Sequence, residues 1–133
     1  MSHQVIVTPL LNGARHVVLH VYVKSDGVSP DLEDHELVDP ADYGMTGPHR
    51  FFTIETIQTA LSGFDARLKF EYLLSDTLIW VLPEAGSGAT YDFNDYGGLK
   101  DRSNELDGTG KILFSTRGIS AGDEGSFVLK LRK

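Results

Sequence analysis

Apolar and charged residues alternate without interruption from Phe64 to Tyr72, in the sequence FDARLKFEY. Successive side chains of a β-strand point to opposite faces, so this alternation places every apolar group of the segment on one face. On a helix the same spacing would scatter those groups around the axis. The segment therefore predicts a strand with one buried face.

The segment from Arg15 to Lys24 has a related pattern with a different consequence. Its odd-numbered positions, from Val17 to Val23, are apolar, and the opposite face also carries Val18 and Tyr22 beside two histidines. Apolar residues on both faces are typical of a strand that is covered on both sides. We therefore expect a central, fully covered strand here.

The rest of the chain repeats short strand patterns between turn-forming residues. Further strands are predicted at 4–8, 36–38, 50–59, 77–82, 90–94, 111–116 and 126–132. The 14 glycines supply the positive φ angles that frequent chain reversals need. This spacing predicts an all-β fold, an antiparallel β-sandwich of about 8–9 strands, with the jelly roll as one possible arrangement. Residues 14–133 are expected to form a single domain, preceded by an N-terminal strand or arm at 1–13.

Two segments interrupt the strand pattern and are predicted to be long loops. The segment 26–46 carries seven carboxylates and no Lys or Arg, and it includes a short edge strand. The segment 97–110 is polar, is bounded by glycines and carries both signs of charge. Both are expected on the surface, where loops commonly contact partners.

Composition excludes several classes of function. The chain of 133 residues has a net charge of −7, and its basic residues are dispersed, which disfavours nucleic acid as a partner. Without cysteine it has no disulfide, zinc–thiolate site or thiol nucleophile. The longest apolar run is too short to span a membrane. The first residues lack the basic and apolar segments of a signal peptide, so synthesis in the cytoplasm is expected.

Three motifs suggest chemistry but lack the context that the chemistry needs. Gly118–Gly122 matches the hydrolase pattern G-x-S-x-G, but a strand follows it and no histidine comes later, so a hairpin turn is predicted. Asp107–Lys111 lacks the earlier glycine and the following Ser or Thr of a phosphate-binding loop, so a hairpin turn is predicted there as well. Asp92–Gly97 begins like an EF-hand, but the twelfth position is Ser103. A looser calcium site shared with the carboxylates of 31–42 stays open. No enzyme activity and no cofactor are predicted.

A resemblance to a known group extends this picture. The segments that carry it are VVLHVYVKSDG at 17–27, FDARLKFEY at 64–72, DYGGLKDRS at 95–103, DGTGKIL at 107–113 and the closing GSFVLKLRK at 125–133. Together they resemble small virion structural proteins of tailed bacteriophages. The resemblance spans roughly residues 14–133 and consists of strand and turn phrases without a catalytic signature.

The resemblance implies a capsid decoration, or cement, protein on the virion surface, made in the host cytoplasm. Its partner would be the major capsid protein, and it would form a homo-oligomer, with a trimer favoured. We predict that the two polar loops dock on that partner. The residues concerned are Tyr96, Leu99, Lys100, Asp101 and Arg102 in one loop, and Asp31, Glu33 and Asp34 in the other.

Two other classes of binding protein fit the same pattern. A head–tail connector, neck or tail component would form a ring of defined symmetry. A carbohydrate- or receptor-binding sandwich would expose aromatic side chains on one face, for which Tyr43, Tyr91 and Tyr96 are the loop candidates.

Overall fold

The computed structural model describes residues 3–45, 51–72, 77–82, 88–100 and 108–133. These residues form ten β-strands and two short 3-10 helices, Pro40–Tyr43 and Asn94–Tyr96, with no α-helix among them. The strands are β1 (Gln4–Asn12), β2 (His16–Lys24), β3 (His35–Val38), β4 (Thr53–Ser62), β5 (Asp65–Tyr72), β6 (Thr77–Leu82), β7 (Ala89–Asp92), β8 (Leu99–Lys100), β9 (Gly108–Arg117) and β10 (Glu124–Arg132).

The strands form two antiparallel sheets that pack face to face. Sheet A has the order β1-β2-β10-β4-β7, with β8 also paired to β4, and sheet B has the order β3-β9-β5-β6. Strands pair from the ends of the chain inward: β2 with β10, β3 with β9, β4 with β7 and β5 with β6. Nested pairing of this kind arises when one long antiparallel hairpin is rolled into two sheets, and it is the topology of a jelly roll. The predicted all-β sandwich is therefore confirmed.

Every strand predicted from the sequence is present. The structure adds the two-residue strand β8 and extends β4 to Ser62. The short strand expected in the acidic segment is β3, at an edge of sheet B. Residues 4–12 of the expected N-terminal strand or arm form β1, which pairs along its length with β2.

The prediction of a hairpin turn at Gly118–Gly122 is wrong. This turn joins β9 in sheet B to β10 in sheet A, so the two strands do not pair with each other. The local sequence signals a chain reversal, but the strand that β10 pairs with is set by distant residues. The turn therefore carries the chain from one sheet to the other.

The expectation that β2 is covered on both faces is also wrong. The strand is central, since β1 and β10 flank it, but burial along it alternates residue by residue. Val17, Leu19, Val21 and Val23 are fully buried, whereas Val18 and Tyr22 on the opposite face are half-buried. The outer face of β2 is therefore apolar without being covered by the described part of the chain.

The core lies between the inner faces of the two sheets. Phe114 of β9 and Phe127 of β10 pack across this space with ring centroids 5.4 Å apart. Trp80 of β6, the edge strand of sheet B, makes edge contacts with Tyr91 and Phe93, with ring centroids 5.6 and 5.0 Å apart. Trp80 is thus packed against the core, as expected for an aromatic residue in an apolar strand.

We predict that Phe127→Ala lowers the free energy of unfolding by about 3–5 kcal/mol, because it removes a fully buried ring at the contact between the sheets. The matched control is Val128→Ala, the next residue, which lies half-buried on the outer face and should cost less than about 1 kcal/mol. Chemical denaturation of both variants measures the difference. Equal costs would contradict the assignment of the two faces.

Candidate functional site

Asp31, one of the predicted docking residues, is bonded to the turn that follows β9. Its carboxylate accepts hydrogen bonds from the Gly118 and Ile119 amides at 3.1 and 3.0 Å, and from the Thr116 hydroxyl at 3.1 Å. Burial raises the pKa of this carboxyl, but the hydrogen bonds and the nearby Arg117 charge outweigh it, so the pKa of Asp31 lies below its ordinary value. Asp31 thus attaches the acidic segment to the sandwich.

The other predicted acidic docking residues form ion pairs along sheet B. Glu33 pairs with Arg117, and Asp34 pairs with Lys69 at 3.0 Å. Glu36 continues the series with Lys111 at 3.3 Å. Glu33 and Asp34 remain about half exposed, so they are within reach of a partner, although their charges are already compensated.

The predicted docking residues after the second 3-10 helix lie beside β4. Tyr96 ends that helix, and Leu99 and Lys100 form β8, opposite Ile54 and Thr53. Leu99 is half-buried and packs against the core. Asp101 and Arg102 lie outside the described residues. The predicted loop 97–110 thus begins as an edge strand, and its last three residues belong to β9.

Gly98 explains why this segment lies so close to β4. Its φ of +91° is in the left-handed region, and a Cβ atom there would lie 2.6 Å from Thr53 Cγ2 and 2.9 Å from the Ile54 carbonyl oxygen. Only glycine fits this position without displacing the strand. The segment is thereby held against sheet A.

The outer face of sheet A has a centre without charged side chains. Two rows of directly paired residues cross it, and none of their members is an Asp, Glu, Lys or Arg. We call this set the neutral face: Ile6, Tyr22, Ser126 and Ala60 in one row, and Thr8, His20, Val128, Gln58 and Thr90 in the next. All nine side chains are exposed or half-buried. The surface is broad, uncharged and partly apolar.

A shallow depression of about 600 Å³ lies within the neutral face. Its floor includes Ala60, Ser126 and Val128, and His20 and Thr90 contribute on either side. Small side chains at the centre of a sheet leave room for a protruding group of a partner. The depression is open, and its polar atoms are mainly hydroxyl, amide and imidazole groups.

Charged residues border the neutral face at both ends of the strands. At one end Lys24 lies opposite Glu124, whose carboxylate accepts a 2.6 Å hydrogen bond from the Tyr22 hydroxyl. That bond and the burial and charge that accompany it raise the pKa of Tyr22, so the phenol stays protonated. At the other end lie Lys130 and Arg132.

The basic end is organised by a buried carboxylate, Glu55. Lys130 pairs with Thr56 and Leu131 with Ile54, so Glu55 is the extra residue of a β-bulge in β4. Its side chain is only 8% exposed, and Arg132 Nη1 lies 3.3 Å from Oε2. Arg132 also donates to the Gly97 carbonyl at 3.0 Å, which ties the bulge to the segment before β8.

The second oxygen of Glu55 is held by charge rather than by a directed bond. His16 Nε2 lies 3.1 Å and Lys130 Nζ 3.7 Å from Oε1, yet Oε1 has no partner in hydrogen-bond geometry within the described chain. His16 contributes charge only when its ring is protonated. The carboxylate is thus surrounded by cationic groups, which is the environment of a structural ion cluster.

Sheet B presents a different outer face. Its exposed side is crossed by the ion pairs of Lys69, Lys111 and Arg117 with the acidic segment. A surface of compensated charges is well solvated and contributes little to association. The neutral face of sheet A has uncharged residues at its centre and charges at its rim, which is the arrangement of charge found in protein–protein interfaces.

The motifs with chemical associations have structural roles where they are described. Ser120 closes its own turn: its amide and hydroxyl both donate to Asp123, at 2.8 and 3.1 Å. Asp92 accepts from the Asn94 amide at 2.9 Å. Across the described ranges no group of three or more His, Asp or Glu residues is placed to hold a metal ion. No helix in those ranges is long and apolar enough to cross a membrane.

Comparisons with protein-family models, with curated proteins and with solved structures find no match to this chain.

The neutral face was not predicted from the sequence, although part of its pattern is visible there. Two of its members, His20 and Tyr22, lie with Val18 on the second, partly apolar face of β2, and we interpreted that face as covered by the chain itself. The remaining members, such as Ser126 and Ala60, look like ordinary solvent-facing residues until the strand order places them side by side. The Glu55 cluster had no sequence signal, since it depends on a bulge and on β10.

We predict that Asp31→Asn destabilises the fold by about 1–2 kcal/mol at neutral pH, because it removes a charged acceptor of three hydrogen bonds. The pKa of Asp31 is lower in the folded state than in the unfolded state. Its contribution is therefore present above the unfolded pKa of about 4 and is lost as pH falls through the folded pKa. The Asp31→Asn variant should lose less stability than the wild type over that acidic range.

The control for this prediction is Glu33→Gln, which neutralises an exposed carboxylate of the same segment and should change stability by less than about 0.5 kcal/mol. Urea denaturation at several pH values between acid and neutral provides the measurement. A pH dependence identical in the wild type and Asp31→Asn would overturn the role given to Asp31.

We predict that Glu55→Gln also destabilises the fold, by about 1–3 kcal/mol, because it leaves Lys130, Arg132 and any protonated His16 without a counter-charge. Added salt should recover part of the loss by screening the remaining cations. Glu124→Gln removes an exposed carboxylate from the opposite rim and serves as the control. Thermal unfolding at low and high salt tests the prediction, and a salt-independent loss would exclude this electrostatic origin.

Proposed function

We propose that the chain is a non-enzymatic structural protein of a tailed-bacteriophage virion. In this proposal it is a capsid decoration, or cement, protein that binds the outside of the major capsid protein shell and stabilises it. The observation that carries the proposal is the neutral face of sheet A, an uncharged and partly apolar surface bounded by charges.

The composition of the neutral face supports docking on a folded protein. Interface centres are depleted of charged residues and enriched in aromatic and apolar groups, with a polar rim. Tyr22, Val128 and Ile6 supply apolar surface, while Lys24, Glu124, Lys130 and Arg132 form the rim. At one end Lys130 and Arg132 share the single carboxylate of Glu55, so this end keeps a net positive charge that offers carboxylates of a partner a complementary contact.

The fold supports the same class of function by analogy. Jelly rolls occur in viral capsid proteins, in lectins and in cupins, so the fold narrows the candidates without selecting one. The resemblance to small phage virion proteins favours the first group. A rigid sandwich with a broad flat face also suits a protein that covers a shell.

Carbohydrate binding receives less support from the loop tyrosines. Tyr43 packs edge-on against Phe52 with ring centroids 6.1 Å apart, and Tyr91 packs against Trp80. Stacking on a sugar needs an accessible ring face, and these two rings are engaged within the protein. We therefore place glycan binding behind docking on the capsid.

A saturation experiment tests the proposal. Purified heads that lack the protein are mixed with increasing amounts of it and pelleted, and the bound copies per particle are counted. Copies on the order of hundreds are expected, since a decoration protein repeats over the icosahedral lattice. About a dozen copies would instead indicate a neck or tail component, and no binding would overturn the proposal in favour of a glycan ligand.

Matched variants then locate the docking surface. Val128→Glu places a charge at the centre of the neutral face, and Val81→Glu makes the same change on the outer side of β6 in sheet B. We expect Val128→Glu to weaken head binding at least about tenfold, because the added carboxylate would lose its water on docking. Val81→Glu should leave head binding unchanged. Circular dichroism confirms that both variants fold.

A third variant tests the loop prediction separately. Replacing Lys100, Asp101 and Arg102 with alanine removes the charges of the predicted 97–110 docking loop. If this variant binds heads weakly while Val128→Glu binds normally, docking belongs to the loop and the neutral face is not the interface. If both bind normally, neither surface contacts the shell.

A further inference from the structure

Strand β1 leaves one edge of sheet A open. It pairs with β2 on one side, and none of the described residues forms a strand against its other side. With nine residues, β1 is longer than the other described edge strands, which have two to six. An unpaired strand edge exposes a row of amide and carbonyl groups that can bind another strand.

The first half of β1 lacks the features that usually prevent edge pairing. Natural edge strands are protected by charged residues, by proline, by bulges or by shortness. In β1 the proline and the bulge both fall at Pro9–Leu11, and the strand has no charged residue. The segment Gln4–Thr8 is therefore straight, uncharged and open, and Ile6 at its centre is 44% exposed.

The sequence of this segment is self-complementary. Gln4-Val-Ile-Val-Thr8 has the same pattern in both directions: a polar residue at each end, a valine on each side and an isoleucine at the centre. We propose that two copies of the chain pair antiparallel through this segment, about a two-fold axis at Ile6. Ile6 would lie opposite Ile6 of the partner subunit, each valine opposite the other valine, and Gln4 opposite Thr8 of the partner subunit.

Each cross-strand pair formed in this way is favourable. Val5 and Val7 are half-buried and pack against the core, so the apolar inner layer continues from one sandwich into the next. The Ile6 pair lies on the outer face beside Tyr22. Identical patches meeting about a two-fold axis form the contact that is commonest in homo-oligomers.

Charge opposes pairing less at β1 than at edge strand β3. Two chains with a net charge of −7 repel each other, but β1 adds no charge to the contact. By comparison, edge strand β3 contains Glu36 and lies within the acidic segment, whose charges would oppose a like strand. Pairing through β1 should therefore strengthen with salt, which screens the net repulsion.

The contact is expected to be weak in solution. A five-residue strand pair is much smaller than a standard interface, which uses about 20–30 residues on each side. Dimers should therefore accumulate only at high protein concentration. This inference stands independently of the proposed capsid function, because it concerns only the chain and its copy.

Sedimentation velocity over a wide concentration range tests the pairing with the full chain. Ile6→Lys and Ile6→Glu should each weaken dimer formation about tenfold or more, because each places like charges opposite each other at the axis. A mixture of the two variants should dimerise again, since Lys then faces Glu. Val28→Lys and Val28→Glu, at a loop position that is 79% exposed, provide the matched control pair.

The outcomes separate clearly. Dimers of the wild type that are lost in both Ile6 variants and restored in their mixture support the proposal. A wild-type chain that stays monomeric at all concentrations and salt levels overturns it, as does a trimer whose formation is insensitive to the Ile6 substitutions.

Disulfide trapping provides a second measurement, because the chain has no cysteine of its own. Directly opposed residues of paired strands have the Cα spacing of a disulfide. Oxidation of Ile6→Cys should therefore yield a covalent dimer. Val28→Cys should not.

Discussion

Sheet A depends on the pairing of β10 with both β2 and β4. Without β10, the sheet would divide into the N-terminal pair β1–β2 and the group around β4. The last strand of the chain therefore joins segments that are far apart in sequence, and its inner residues, including Phe127, complete the contact with sheet B. Formation of this fold must await β10, which implies many non-local contacts and slow folding.

The same strand forms the middle of the neutral face and one part of its charged rim. On its outer side Ser126 and Val128 form the middle of the neutral face, between β2 and β4. Near its C-terminal end Lys130 and Arg132 meet the β4 bulge, where both pair with the buried carboxylate of Glu55. A bulge often re-aims a side chain at the margin of a sheet, and here it concentrates positive charge at one rim of the neutral face.

The sequence predicted the local features of the fold well. Alternation in 64–72 and 15–24 located β5 and β2, and turn residues separated the strands. Features that depend on distant partners were not predictable from a local pattern. The carboxylates of the acidic segment looked unpaired because Lys69, Lys111 and Arg117 are far away in the sequence. The turn at 118–122 looked like a hairpin because its sequence does not reveal which sheet the next strand joins.

A similar limit explains the candidate site. Period-2 alternation shows that β2 has two apolar faces, but it cannot show whether the second face is covered by the same chain or by another. In the structure the inner face is covered by sheet B, and the outer face is left uncovered by the described part of the chain. The loop residues selected from charge, such as Asp31 and Glu33, prove to have intramolecular partners. The docking role of these loop residues stays a prediction, and the neutral face, on which our proposal rests, is signalled by apolar alternation rather than by local charge.

The edge and the face of sheet A are geometrically compatible. Pairing through β1 would continue sheet A into the partner subunit, with the two outer faces on the same side of one larger sheet. Two neutral faces joined in this way would bind a repeating surface together, and the second contact would form at a high effective concentration. Weak pairing in solution is then sufficient, because a lattice of docking sites would itself bring the copies together. The pairing would be strongest where the protein is already concentrated by its partner.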